Sequence, residues 1–103
     1  MDPAKISTST IPVFDGSNYP AWYNSLRGIF RVCGVWDVVE ANDGNPIPRP
    51  TSGATEQVAW DDKNNKALGY MSVYMNPALQ HLIGDEVIAA MVWKNIKTIH
   101  GAT

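Results

Sequence analysis

The chain has 103 residues, 45% of them apolar and 17% charged, a balance that suits one soluble globular domain and excludes wholesale disorder. Its formal charge of −2 argues against a phosphate-binding surface, because nonspecific nucleic-acid binding relies on Lys and Arg neutralising phosphates. A lone cysteine excludes an internal disulfide and a Cys-rich zinc knuckle, and no apolar run approaches the ~20 residues that span a bilayer.

Residues 1–12 are polar and Ser/Thr-rich, with Pro3 and Pro12 near the two ends, and read as a flexible N-terminal arm. No secretory signal is visible, and Met1-Asp2-Pro3 lacks the glycine that N-myristoylation needs. The helical domain is expected over 13–103. It opens with Phe14, expected to fold back onto the first helix, and with the turn residues Asp15-Gly16-Ser17-Asn18.

Trp22, Leu26, Ile29, Phe30 and Cys33 repeat at the spacing that lines one face of a helix. Pro20 suits its first turn, Asn18 or Ser17 is placed to cap it, and Gly34 can take the left-handed conformation that closes it. Cys33 lies on the apolar stripe, which suggests a buried thiol in a reducing, cytoplasmic compartment. Val35, Trp36, Val38 and Val39 form a second apolar cluster on a short following turn. Residues 41–54 then carry Pro46, Pro48, Pro50, Gly44 and Gly53, a density that no helix survives. This is a surface loop, with Ile47 as its only large apolar residue and expected anchor.

A long third helix of about five turns follows, capped by Ser52 or Thr55. Its apolar positions are Val58, Trp60, Asn64, Ala67, Leu68, Met71, Tyr74 and Met75, and its polar face is Asp61, Asp62, Lys63, Asn65 and Lys66. Asp62 and Lys66 are spaced to pair, and Gly69 suggests close approach of another helix, the first one with its Gly28 being the candidate. Asn76-Pro77 restarts the chain in cap-then-proline order for a short helix ending at Gly84. A last helix is expected from Asp85-Glu86 to Gly101, with Ala89, Val92, Trp93, Ile96 and Ile99 or His100 facing inward, and Ile88 and Met91 to one side. The expected fold class is therefore all-α, a single bundle of four to five helices.

The series Phe14, Gly16, Asn18, Tyr19, Trp22 and Leu26, then Val35, Trp36 and Val38, resembles the opening of the Gag polyprotein of Ty1/Copia-type retrotransposons. In that family F-x-G-x-N-Y-x-x-W precedes a helix and a G-L-W-x-V-V segment. A second block, Trp60, Lys63, Ala67 and Leu68 followed by Ala89, Trp93, Ile96 and Ile99, resembles the family's W-x-x-x-D-x-x-A-L and A-x-x-x-W-x-x-L patterns in the same order. The resemblance spans roughly residues 13 to 100. Departures are Val35 where leucine is usual, Asn65 where an acidic residue is common, and His100 where an aromatic often closes the last helix. The resemblance implies an orthogonal or up-down bundle like a retroviral capsid N-terminal lobe, which self-assembles within a larger Gag into virus-like particles around element RNA. A second lobe and an RNA-binding tail would then follow residue 103.

The inventory of reactive groups is thin. His81 and His100 read as surface or helix-end residues, and Cys33 sits on the core face near a negative helix end, where a thiolate is disfavoured. Asp61-Asp62 and Asp85-Glu86 are adjacent in sequence, so their carboxylates diverge, and neither metal-ligand spacing nor a phosphate-binding glycine loop occurs. The expectation is no enzyme, no cofactor and no metal. Of the four tryptophans, Trp22 and Trp93 belong to core stripes, while Trp36 and Trp60 suit core or partner surface equally. Arg27 and Arg31 form a basic ridge able to meet Asp61 and Asp62 of another copy, so their charge reversal is expected to weaken assembly without lowering the melting temperature. Expected partners are further copies of the chain, or, for a domesticated module, a peptide in a groove between helices; neither nucleic acid nor membrane is expected to bind this segment directly.

Overall fold

In the computed structural model, which describes residues 11–101, helix α1 spans Tyr19–Val32, α2 Trp36–Val39, α3 Ala54–Val73 and α4 Ala89–His100. A six-residue 3₁₀ helix, Pro77–Leu82, lies between α3 and α4. The protein is an all-α small bundle, and its sole strand-like feature among the described residues is one isolated parallel bridge between Phe14 and Met75. Residues 1–10, which hold most of the expected arm, lie outside the described residues, while Ile11 packs against the core.

Phe14 folds back as its position requires. Its ring is fully buried, its amide donates to Tyr74 O at 2.8 Å, and its carbonyl accepts from Asn76 N at 2.9 Å. Trp22 Nε1 donates to the same Tyr74 carbonyl at 2.8 Å, so one acceptor beyond the end of α3 ties together the chain entry and α1. Around this junction α1 buries Tyr19, Trp22, Leu26, Ile29 and Phe30, α3 buries Trp60, Asn64, Ala67 and Met71, and α4 buries Ala89, Val92, Trp93 and Ile96. Burying each large apolar side chain stabilises the fold by roughly 1.5–3 kcal/mol, so these stripes supply most of the driving force. Trp93 is the hub: its ring centroid lies 5.5 Å from Trp22, 5.1 Å from Tyr23, 5.4 Å from Phe30 and 6.0 Å from Trp36. Tilted and edge-on aromatic pairs of this kind add about 0.5–1.5 kcal/mol each beyond area burial.

Several local expectations change. Asn18 does not cap α1 with its side chain. Its Nδ2 instead donates to Val13 O and its Oδ1 accepts from Asp15 N, which fixes the turn that delivers Phe14 to the core. Neither Ser52 nor Thr55 caps α3; Gly53 occupies that place with φ +89°, a conformation that side-chain-bearing residues rarely adopt. Gly34, at φ +74°, closes α1 as expected. Gly28 and Gly69 are not points of helix contact, since a Cβ at either would meet nothing within 4 Å. Val58 is 60% exposed rather than on the core face, and Tyr74 and Met75 are buried just past the end of α3.

The loop 41–54 is strapped to α3 through its backbone and charges. Ile47 is half exposed, yet its amide donates to Asp37 O and its carbonyl accepts from Trp60 Nε1 at 2.8 Å, so the anchor is the peptide group and not the side chain. Gln57 reaches Pro50 O, and Arg49 grips Asp61 with two bonds of 2.9 and 3.1 Å.

The last helix starts later than its acidic residues suggest. Glu86 Oε1 accepts from the amides of Val87 and Ile88, so the acid organises an extended approach and the helix begins at Ala89. The amide of Ala89 is capped from another element: Asn64 Oδ1 of α3 accepts it at 2.7 Å, while Asn64 Nδ2 donates to Val87 O at 2.6 Å. Asn64, the one buried polar residue among those described, thus locks two helices together with both ends of its amide. Asn76 caps the 3₁₀ segment as expected, its Oδ1 accepting from Ala78 N. His100 takes the inward place and sets its ring edge-on to Phe14 at 4.9 Å, leaving Ile99 57% exposed.

Candidate interaction surface

Most of the residues singled out by the two sequence blocks lie in the core, but Lys63, which pairs with Asp37, and Ile99, 57% exposed, do not. Phe14, Tyr19, Trp22, Leu26, Trp36, Trp60, Ala67, Ala89, Trp93 and Ile96 are all buried, and Leu68 packs half-buried beside them. Gly16 and Asn18 shape the turn before α1. Both undecided tryptophans are structural: Trp36 Nε1 donates to Asn42 Oδ1 and Trp60 Nε1 to Ile47 O.

The charged ridge is differently placed. Arg31 lies over the Trp36 ring at 5.8 Å and donates to Asn42 Oδ1 at 3.0 Å, while Arg27 lies over the Tyr23 ring at 5.7 Å. Asp61 is held by Arg49, and the guanidinium beside it holds its carboxyl below the usual carboxylate value. Asp62 is exposed and takes part in none of the ion pairs among the described residues, so the expected pairing with Lys66 is not made. Reversing Arg31 would therefore remove intramolecular contacts as well as surface charge, which predicts a lower melting temperature in place of an unchanged one.

A second cluster had no local sequence signal, because its members lie 17 and 57 residues apart. Tyr23 Oη donates to Glu40 Oε2 at 2.5 Å, and Lys97 Nζ donates to Glu40 Oε1 at 3.1 Å. Burial, then the bond to the Glu40 carboxylate, pushes the Tyr23 phenol up to about 12. Burial likewise raises Tyr19, helped by the charges of Tyr23 and Glu40, and the Tyr19 hydroxyl is buried without a hydrogen bond. Such a network joins α1, the end of α2 and α4 on the side of the bundle where the loop leaves.

Beside that network lies a groove of about 510 Å³. Val39, Pro46, Met91 and Trp93 give it apolar walls, and Lys94 and Lys97 stand along it. Met91 is 44% exposed on this side of α4, while Ile88, also exposed, precedes the helix and does not line the groove. The sequence signal for the groove is the placement of Met91 off the inward stripe of the last helix.

The reactive side chains do not gather here. Cys33 Sγ contacts Tyr70 Oη at 3.7 Å, His81 Nδ1 lies 3.1 Å from Ala78 O, and His100 packs on Phe14. Among the described residues no three His, Cys, Asp or Glu side chains could hold a common metal ion, and no helix is long and apolar enough to cross a membrane. Comparison with known protein families, with curated proteins and with solved structures gives no match.

Proposed function

We propose that this chain is a Gag-derived, capsid-type helical lobe of the Ty1/Copia kind, whose work is protein–protein self-assembly into virus-like particles. The observation that supports the reading is the coincidence of motif and core: the aromatic and aliphatic residues shared with the Gag pattern from Phe14 to Ile96 pack into one interior. A pattern of structural residues that specifies a fold leaves its outer helix faces for repeated, symmetric contacts, which closed or curved assemblies use. No enzyme activity is assigned, because the tyrosines, histidines and Cys33 serve packing and hydrogen bonding rather than converging on a reactive centre. The lobe acts in the cytoplasm of the cell that expresses it, with RNA bound by other parts of the polyprotein.

The groove beside α4 favours a second reading, in which a domesticated form of the same lobe holds a partner peptide and no longer assembles. Sucrose-gradient sedimentation of the polyprotein that carries this lobe separates the two. Fast-sedimenting particles of megadalton size support the capsid reading; a polyprotein that stays at the top of the gradient as a monomer sinks it.

A further inference from the structure

The bundle leaves two surfaces whose chemistry is complementary. One is the groove between the end of α2, the following loop and α4, with Pro46, Met91 and Trp93 in its walls and Lys94 at its edge. The other is the outer side of α3, opposite its buried stripe, where Val58 and Asp62 stand one turn apart and share a face. Val58 is 60% exposed and Asp62 is exposed, so this helix offers solvent an apolar side chain followed by a carboxylate. Lys94 and Asp62 both take no part in the ion pairs among the described residues, which are Arg49–Asp61, Lys63–Asp37 and Lys97–Glu40. One surface thus sets a cation, and the other a carboxylate, beside an exposed apolar side chain.

We propose that the groove beside α4 receives the outer face of α3 from a second copy of this chain, with Val58 set against Met91 and Asp62 paired to Lys94. The groove and the helix face are different patches of one molecule, so the contact is heterologous. A heterologous contact propagates from copy to copy and forms rings or extended arrays, whereas a two-fold contact would stop at a dimer. The charge pair sets the register and the exposed apolar side chains supply the burial. The inference rests on the self-assembly reading and names the surfaces that carry it; the basic ridge of Arg27 and Arg31, already turned onto Tyr23 and Trp36, is not needed.

The test is sedimentation velocity of the 103-residue chain at low ionic strength, from about 10 μM to about 1 mM, a range that reports weak association. The wild-type weight-average mass is expected to rise with concentration. Lys94→Glu and Asp62→Lys are each expected to weaken association about tenfold, because like charges then face one another. An equimolar mixture of the two variants restores it, since each altered surface meets its complement. Association that both reversals leave unchanged overturns this contact while self-assembly stands. Reversals whose effect the mixture does not repair also overturn it, as does a wild-type chain that stays monomeric throughout. A monomeric chain together with a polyprotein that forms no particles removes the capsid reading too. A monomer whose Met91 and Lys94 amide signals shift on adding an acidic amphipathic peptide assigns the groove to a partner peptide instead.

Discussion

Replacing Asn64 with alanine tests how the bundle joins α3 to α4. The side chain is 4% exposed, accepts the Ala89 amide at 2.7 Å and donates to the Val87 carbonyl at 2.6 Å. Each bond contributes about 1 kcal/mol net, and a buried amide left without an acceptor costs about 1–3 kcal/mol more, so Asn64→Ala is expected to destabilise by about 3 kcal/mol. For a domain of this size that corresponds to a fall in Tm of about 15 °C. Thermal unfolding followed by circular dichroism reads the loss, and hydrogen exchange at Ala89 reads its origin, because that amide should lose protection before those in the middle of α4. Asn64→Leu separates hydrogen bonding from packing: it refills the volume and is still expected to lose about 2 kcal/mol. A loss below about 1 kcal/mol in both variants, with the Ala89 amide still protected, would show that Asn64 does not join the two helices.

Three further outcomes follow from the geometry. Gly28→Ala and Gly69→Ala each place a Cβ in open space inside a helix, and each is expected to stabilise by about 0.5–1 kcal/mol in chemical denaturation; a destabilised variant would mean a helix contact exists there after all. Arg31→Glu removes the bond to Asn42 and the cation over Trp36, and is expected to lower stability by about 1 kcal/mol, read as a Tm lower by several degrees. Tyr23 has a folded-state pKa near 12, above the unfolded phenol at about 10, so its contribution is complete below pH 10 and lost as pH rises towards 12. Unfolding measured across that window should show Tyr23→Phe with a shallower loss than wild type, some slope persisting because Tyr19 is also raised; identical slopes would rule out a Tyr23 phenol raised by burial and by its bond to Glu40.

What could be read from the sequence was whatever is written locally in apolar spacing and turn chemistry. The stripe from Trp22 to Phe30, the stop at Gly34, the cap-then-proline start at Asn76 and the inward face from Ala89 to Ile96 are all periodic or conformational signals within a few residues. The misread features depend on partners distant along the chain. Asn64 sits on an apolar stripe as though it were merely tolerated there, and only the fold brings Val87 and Ala89 to it. Glu86 has the composition of a helix start but spends its carboxylate on two amides ahead of the helix. Gly28 and Gly69 carry no local mark that distinguishes a contact from an open surface, and Ile47 anchors through its peptide group, which the identity of a side chain does not announce. The groove was half legible: Met91 was set off the core stripe, whereas its far wall comes from Pro46 in a loop with no periodicity.

The proposed self-assembly requires the outer surface of this lobe to meet copies of itself. The decisive observation is electron microscopy of the purified protein, including any longer polyprotein of which the proposed lobe would be part. Regular shells in which neighbouring lobes touch are the expected result; well-folded protein that remains dispersed as single molecules at every concentration would contradict it.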